Sequence, residues 1–218
     1  NELALRLARA KTGASGMIVT EHAYHGTSWA IAQITTCYET SEKRGDNIVT
    51  VPTPCSYRGL YANDARAADR YAAHLSTAIE TLARNGHRPA AFIVDTIFSN
   101  EGLPTVPDTY LEKAVACVRQ AGGLFVADEV QPGFGRLGSH FWGFDKHGVV
   151  PDIATMGKPM GNGYPISAVV TSADVIESFQ SDSHYFNTFG GTPVACAAAL
   201  AVLEVIEQED RQAHALET

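Results

Sequence analysis

Apolar residues recur at helical spacing at the start of the chain, in Leu3, Leu7 and Ala10. Gly13-Ala14-Ser15-Gly16 then breaks the pattern ahead of the short apolar run Met17-Ile18-Val19. The order helix, turn, strand is predicted. Ile48-Val49-Thr50-Val51, stopped by Pro52 and Pro54, is a second strand. Asp69–Ala83 reads as a helix with Tyr71, Leu75, Ile79 and Leu82 on one face. The continuous apolar run Ala90-Ala91-Phe92-Ile93-Val94 suits a strand covered on both faces, as in parallel sheets. A helix over Asp108–Gln120 ends at Gly122-Gly123, and the buried strand Leu124-Phe125-Val126-Ala127 leads into Asp128-Glu129. Ile153–Met156 and Ile166–Val170 are further strands. Thr192 as N-cap and Pro193 at the first helical position open a last helix over Val194–Gln208. Strands alternating with helices specify an α/β fold with a mostly parallel central sheet and helices on both faces. No repeat, low-complexity tract or linker divides the 218 residues.

Charge narrows the choice of partner. Sixteen Lys and Arg against 24 Asp and Glu give a net charge of −8, which argues against nucleic acid or an anionic membrane. The Ala-rich stretch Val194–Ile206 contains Glu204 and falls short of the roughly 18 apolar residues a membrane span needs. Cys37, Cys55, Cys117 and Cys196 form no C-x-x-C pair, so neither a zinc knuckle nor a disulfide framework is signalled, and a reducing cytoplasm is the simplest location. The opening Asn1-Glu2-Leu3-Ala4-Leu5-Arg6-Leu7 lacks an initiator Met and reads as a helix in progress, as expected of a piece of a longer protein.

Ligands of an open parallel sheet bind beyond the carboxyl ends of its strands. Asp128, directly after Leu-Phe-Val-Ala, is placed either at the mouth of that crevice or in a solvated turn or helix cap. A magnesium-holding carboxylate of a nucleotide hydrolase would need a G-x-x-x-x-G-K-[ST] loop, and the sequence has none. Lys158 lies just after a strand, inside the turn Gly157-Lys158-Pro159-Met160-Gly161-Asn162-Gly163. It is either a solvated surface charge or a desolvated amine able to form a Schiff base with an aldehyde. The neighbouring glycines let a bulky cofactor approach the backbone. His22 and His25, with no carboxylate pair beside them, do not match a metal motif. Tyr24, ahead of Gly26, is either core or a platform for a planar ring.

Three stretches, taken together, resemble the class III (omega-type) aminotransferases of pyridoxal phosphate fold type I. They are Ala23-Tyr24-His25-Gly26-Thr27, the segment Ala127–Arg136 with Phe141-Trp142, and Pro151–Gly163 joined to Phe186–Pro193. The resemblance implies that Lys158 forms the Schiff base with pyridoxal 5′-phosphate and later moves the proton between substrate carbon and cofactor. It implies that Asp128 pairs with the protonated ring nitrogen, that Val130 and Tyr24 cover the two ring faces, and that Gln131 meets the ring hydroxyl oxygen. His25 and Gly26 belong to the same cofactor-binding motif. Thr188 is implied to bind the phosphate across a subunit interface, which makes a homodimer the smallest active form.

By the same resemblance a phosphate-binding turn G-[ST]-E-A precedes Asn1, and a small C-terminal domain with a carboxylate-clamping arginine lies beyond Thr218. Residues 1–218 are therefore expected to be the large domain of a longer protein. The usual Glu-Pro-Ile-Gln is replaced by Asp95-Thr96-Ile97-Phe98, and Asn100 stands where some members carry a gating glutamate, which weakens any ornithine-like or GABA-like specificity. The activity implied is transfer of an amino group from an amine or amino acid to a 2-oxo acid. Two alternatives stand beside it. One is the phospho-lyase branch, suggested by Gly157–Gly163 and Tyr185–Thr188. The other is a non-catalytic aminotransferase-like module.

Overall fold

The computed structural model describes residues 1–39, 43–182 and 184–218. Helix α1 (Glu2–Thr12) leads to β1 (Gly16–Thr20), followed by α2 (Trp29–Ala32), β2 (Ile48–Val51), α3 (Ala67–Arg84) and β3 (Pro89–Asp95). Then come α4 (Tyr110–Gln120), β4 (Leu124–Asp128), β5 (Ile153–Met156), β6 (Ala168–Thr171), α5 (Ala173–Asp182), α6 (Pro193–Gln208) and α7 (Arg211–Glu217). Short 3-10 turns cover Phe144–His147 and Lys158–Gly161.

The strands form one sheet in the order β2-β1-β3-β4-β5-β6. The first five are mutually parallel and β6 runs antiparallel to β5. The carboxyl ends of β1, β3, β4 and β5 therefore share one edge, and β3 and β4 are in register so that Asp95 and Asp128 are paired neighbours. Period-two alternation distributes the strand residues between two cores. Ile18, Phe92, Val94 and Phe125 pack under α3 and α4 with Leu75, Leu82, Leu111 and Val118. Met17, Val19, Ala91, Ile93 and Val126 pack on the other face against Leu5, Leu7 and Ala8 of α1 and Val175 and Phe179 of α5. The mostly parallel sheet with helices on both faces is as expected.

Differences from the sequence pattern have local causes. Helix α4 starts at Tyr110 rather than Asp108 because Thr109 takes a left-handed conformation (φ 64°) that cannot be part of the helix. The last strand begins at Ala168, two residues after the apolar run does. Helices α2, α5 and α7 are not announced by the periodicity: α2 has only four residues, α7 buries none of its own, and α5 is short and largely polar. Thr192 caps α6 as anticipated, accepting from the Ala195 N–H, with Pro193 at the first position. Much of α6 lies open, with Val194 62% and Leu200 59% exposed. No helix among the described residues is long and apolar enough to cross a membrane.

Candidate active site

The loop after β1 is fastened by two threonines. Thr36 Oγ1 donates to the Thr20 carbonyl at 2.7 Å and accepts from the Ala23 N–H. Thr35 Oγ1 donates to the Gly26 carbonyl and accepts from the His25 N–H. These bonds hold the His25 ring, whose side chain is fully buried, against the end of β4. There Asp128 Oδ2 accepts from His25 Nδ1 at 2.8 Å and from Asn1 Nδ2 at 2.8 Å, and Oδ1 accepts from the Val130 N–H. Asn1 is itself locked, with Nδ2 also donating to the His25 carbonyl and Oδ1 accepting from Thr155 Oγ1. Burial penalises the charged form of Asp128, but the hydrogen bond and charge of His25, with the Asn1 and Val130 donors, outweigh that cost and hold its pKa below the ordinary aspartate value.

A second carboxylate ends the adjacent strand. Asp95 accepts from the backbone N–H groups of Ile97 and Ser99 and, through a short bond, from Ser99 Oγ. Ser99 Oγ in turn accepts from Gln131 Nε2 at 2.7 Å. Gln131 is thus oriented by Asp95 through one hydroxyl. Burial raises the Asp95 pKa and the charge of Asp128 adds to the rise, against the Ser99 and Ile97 hydrogen bonds. The two acids are driven in opposite directions, Asp128 below the ordinary aspartate value and Asp95 above it.

Asn1, Tyr24, His25, Asp95, Asp128, Val130, Gln131 and Lys158 line one cleft at this edge of the sheet. Lys158 is exposed at its rim and makes no hydrogen bond or ion pair with the described residues. Its amine is uncommitted. Of the residues singled out in the sequence, Lys158, Asp128, Val130, Gln131, Tyr24 and His25 come together here. Gly26 lies just behind them, with φ 132°, a conformation suited to glycine. Thr188 sits on an exposed turn between α5 and α6 and is not part of the cleft wall. Asn1, Asp95 and Ser99 are site residues that the sequence pattern did not single out. The signal for Asp95 was present, since it ends its apolar run as Asp128 ends its own.

Glu129 has a different task from Asp128. Its side chain turns inward, fully buried, where Oε1 accepts from Thr96 Oγ1 at 2.7 Å and from the Phe144 N–H, and Oε2 from the Gly143 N–H at 2.7 Å. It ties the segment after Trp142 to the sheet. A Cβ on Gly143 would collide with Thr96 Oγ1 and lie 2.7 Å from Pro132 Cβ. Gly143→Ala is expected to destabilise the protein by about 1–3 kcal/mol through this overpacking, measurable by urea denaturation.

The chain matches the family model described as aminotransferase class-III over residues 1–218. It is 40% identical to an alanine–glyoxylate aminotransferase 2-like protein of Drosophila melanogaster over 225 residues, covering 99% of this chain and 45% of the relative. It is 37% identical to ethanolamine-phosphate phospho-lyase homolog 1 of Caenorhabditis elegans, covering 98% of this chain and 49% of the relative. Among solved structures, a phospholyase from Arthrobacter in complex with phosphoethanolamine superposes with a TM-score of 0.93 at 43% identity, over 98% of this chain and 50% of that one. The chain spans about half the length of these relatives. It belongs to the class-III aminotransferase family, whose members are pyridoxal phosphate enzymes.

Proposed function

We propose that residues 1–218 are the large, cofactor-binding domain of a pyridoxal phosphate-dependent aminotransferase that moves an amino group from an amine or amino acid to a 2-oxo acid. The observation that carries this reading is Asp128, held ionised at the base of the cleft whose rim bears the uncommitted amine of Lys158. The donor set fits the cofactor: a buried carboxylate for a protonated ring nitrogen, an amide on Gln131 for the ring oxygen, and Val130 and Tyr24 for the two ring faces. When bound, the cofactor supplies an aldehyde that condenses with amines and a ring that takes up electrons from the substrate carbon. Lys158 Nζ would hold the cofactor and would take up and return the proton at the substrate carbon. Asp128 keeps the ring nitrogen protonated. His25 and Asn1 keep Asp128 charged, and Ser99 with Asp95 fixes the face that the Gln131 amide presents.

Thr188, exposed on its turn, is assigned to the phosphate site of a neighbouring subunit, so the working unit is a homodimer. A reducing compartment, the cytoplasm in the simplest case, suits four free cysteines.

Similarity to the phospho-lyases of Arthrobacter and Caenorhabditis supports a second reading, elimination of phosphate from a phosphorylated amino alcohol on the same lysine. The full-length protein should leave phosphoethanolamine intact when no 2-oxo acid is offered and should convert an amine donor only when one is supplied. Phosphate release without an acceptor would establish the lyase instead.

A further inference from the structure

The amino ends of β1 and β3 open onto a second cavity, of about 520 Å³, bounded by Arg6 and Arg9 of α1, His87 and Arg88 ahead of β3, and Phe179 of α5. It lies at the opposite edge of the sheet from the cleft. Strand β3 is seven residues long, so about 20 Å separates its two ends at roughly 3.3 Å per residue. Neither Asp nor Glu is among the residues that line the cavity. Three guanidinium groups therefore share one concavity in a chain whose net charge is −8.

Each of the three keeps donors unspent. Arg6 Cζ lies 5.1 Å from the Phe179 ring centroid and 5.8 Å from that of Tyr185, a contact that leaves the N–H groups of a guanidinium available. Arg9, three residues further along the same face of α1, makes no side-chain hydrogen bond or ion pair with the described residues. Arg88 Nη2 donates to the Thr12 and Gly13 carbonyls at 3.4 and 3.3 Å, closing the tail of α1, while its Nε and Nη1 have no partner among the described residues. The acids on the neighbouring elements are engaged elsewhere. Glu2 accepts from Ser28 Oγ, Asp174 pairs with Lys11 at 2.6 Å, and Asp46 meets His87 Nε2 at 3.0 Å.

We propose that this cavity binds a small organic phosphate monoester, with its phosphoryl group among Arg6, Arg9 and Arg88 and its carbon skeleton against Ala10, Ala14 and Phe179. Like charges gathered in a concavity repel one another and focus positive potential into it, and an anion relieves both. Guanidinium forks match carboxylates and phosphates alike. Their number favours phosphate: a carboxylate offers two oxygens, whereas a phosphate monoester offers three, one for each arginine. The size argues for more than a free ion, because the cavity falls within the roughly 300–1,000 Å³ of small-molecule sites. The alanines and Phe179 give the rest of the ligand an apolar wall.

The test is isothermal titration calorimetry of the full-length protein with glycerol 3-phosphate. The protein is loaded with pyridoxal phosphate and freed of the excess, so that the cofactor's own phosphate site is filled. The wild type should bind one probe per subunit. Arg6→Gln and Arg9→Gln, both at exposed positions, should each weaken binding by about tenfold or more, the scale of one charge-assisted hydrogen bond, with wild-type circular dichroism spectra. Arg66→Gln, at an exposed arginine ahead of α3, should bind as the wild type does. Succinate should bind at least about tenfold more weakly than glycerol 3-phosphate, for want of the third oxygen. The proposal is overturned by a wild type that binds no probe, by an affinity that either Arg6→Gln or Arg9→Gln leaves unchanged, by an equal loss in Arg66→Gln, or by succinate binding equally well. A protein that takes up no pyridoxal phosphate would refute the proposed function, and the same titration without cofactor would still decide this inference.

Discussion

Lys158→Ala in the full-length protein is expected to lower kcat by at least about a thousandfold, because one amine supplies both the covalent anchor and the proton transfer, and general acid–base catalysis alone contributes roughly 10²–10⁴. The same substitution should leave stability within about 0.5 kcal/mol of the wild type, since Lys158 is exposed and bonded to nothing among the described residues. That combination separates a reacting group from a structural one. Absorption spectroscopy after mixing with pyridoxal phosphate gives the second readout, a visible band in the wild type and none in the variant. A band of equal strength in Lys158→Ala would remove the lysine from the mechanism and with it the proposed function.

Asp128→Ala should show the opposite balance, damaging both chemistry and fold. It leaves the buried His25 ring and the Asn1 amide facing an empty space, and removing one member of a buried pair costs about 3–5 kcal/mol. Asp128→Asn preserves the shape and should cost less stability, yet lower turnover by about 10²–10³, the scale of losing one fixed electrostatic partner. The pH dependence has a definite sign. The carboxyl of Asp128 is held below its ordinary value, so its contribution is complete above the unfolded pKa of about 3.9 and disappears as pH falls through the lower folded value. Denaturant titrations should therefore show the stability gap between wild type and Asp128→Asn at pH 7 shrinking as the solution is acidified below about pH 4. A gap that stays constant down to about pH 2 would show that the charge of Asp128 is not what the His25 contact rewards.

The sheet was legible because its strands are short and mostly apolar, with proline or glycine leading into the clearest of them, Pro89 before Ala90–Val94 and Gly123 before Leu124–Ala127. Buried parallel strands must read this way, since both of their faces meet helices. Asp128 and Lys158 were legible for a related reason: each interrupts an apolar pattern where a strand meets its loop. The partners of Asp128 were not. Asn1 and His25 lie 127 and 103 residues away in sequence, and nothing in a local window ties an amide at the head of α1 to the end of β4. Helix α5 went unread because, among its residues whose burial is described, only Val175 and Phe179 are buried, too few for a periodic signal. Glu129 shows the limit of spacing most sharply, since it adjoins Asp128 in sequence and points the opposite way to brace Gly143 and Phe144.

The pairing of Asp95 with Asp128 across β3 and β4 constrains how this lineage can tolerate insertions and deletions. A single residue gained or lost upstream within either strand would rotate its terminal acid to the opposite side of the sheet and bring an aliphatic side chain to the cleft. Length variation must therefore accumulate in the connections, where the loop from Thr96 onward can be rewritten while the strand ends stay where the chemistry requires them.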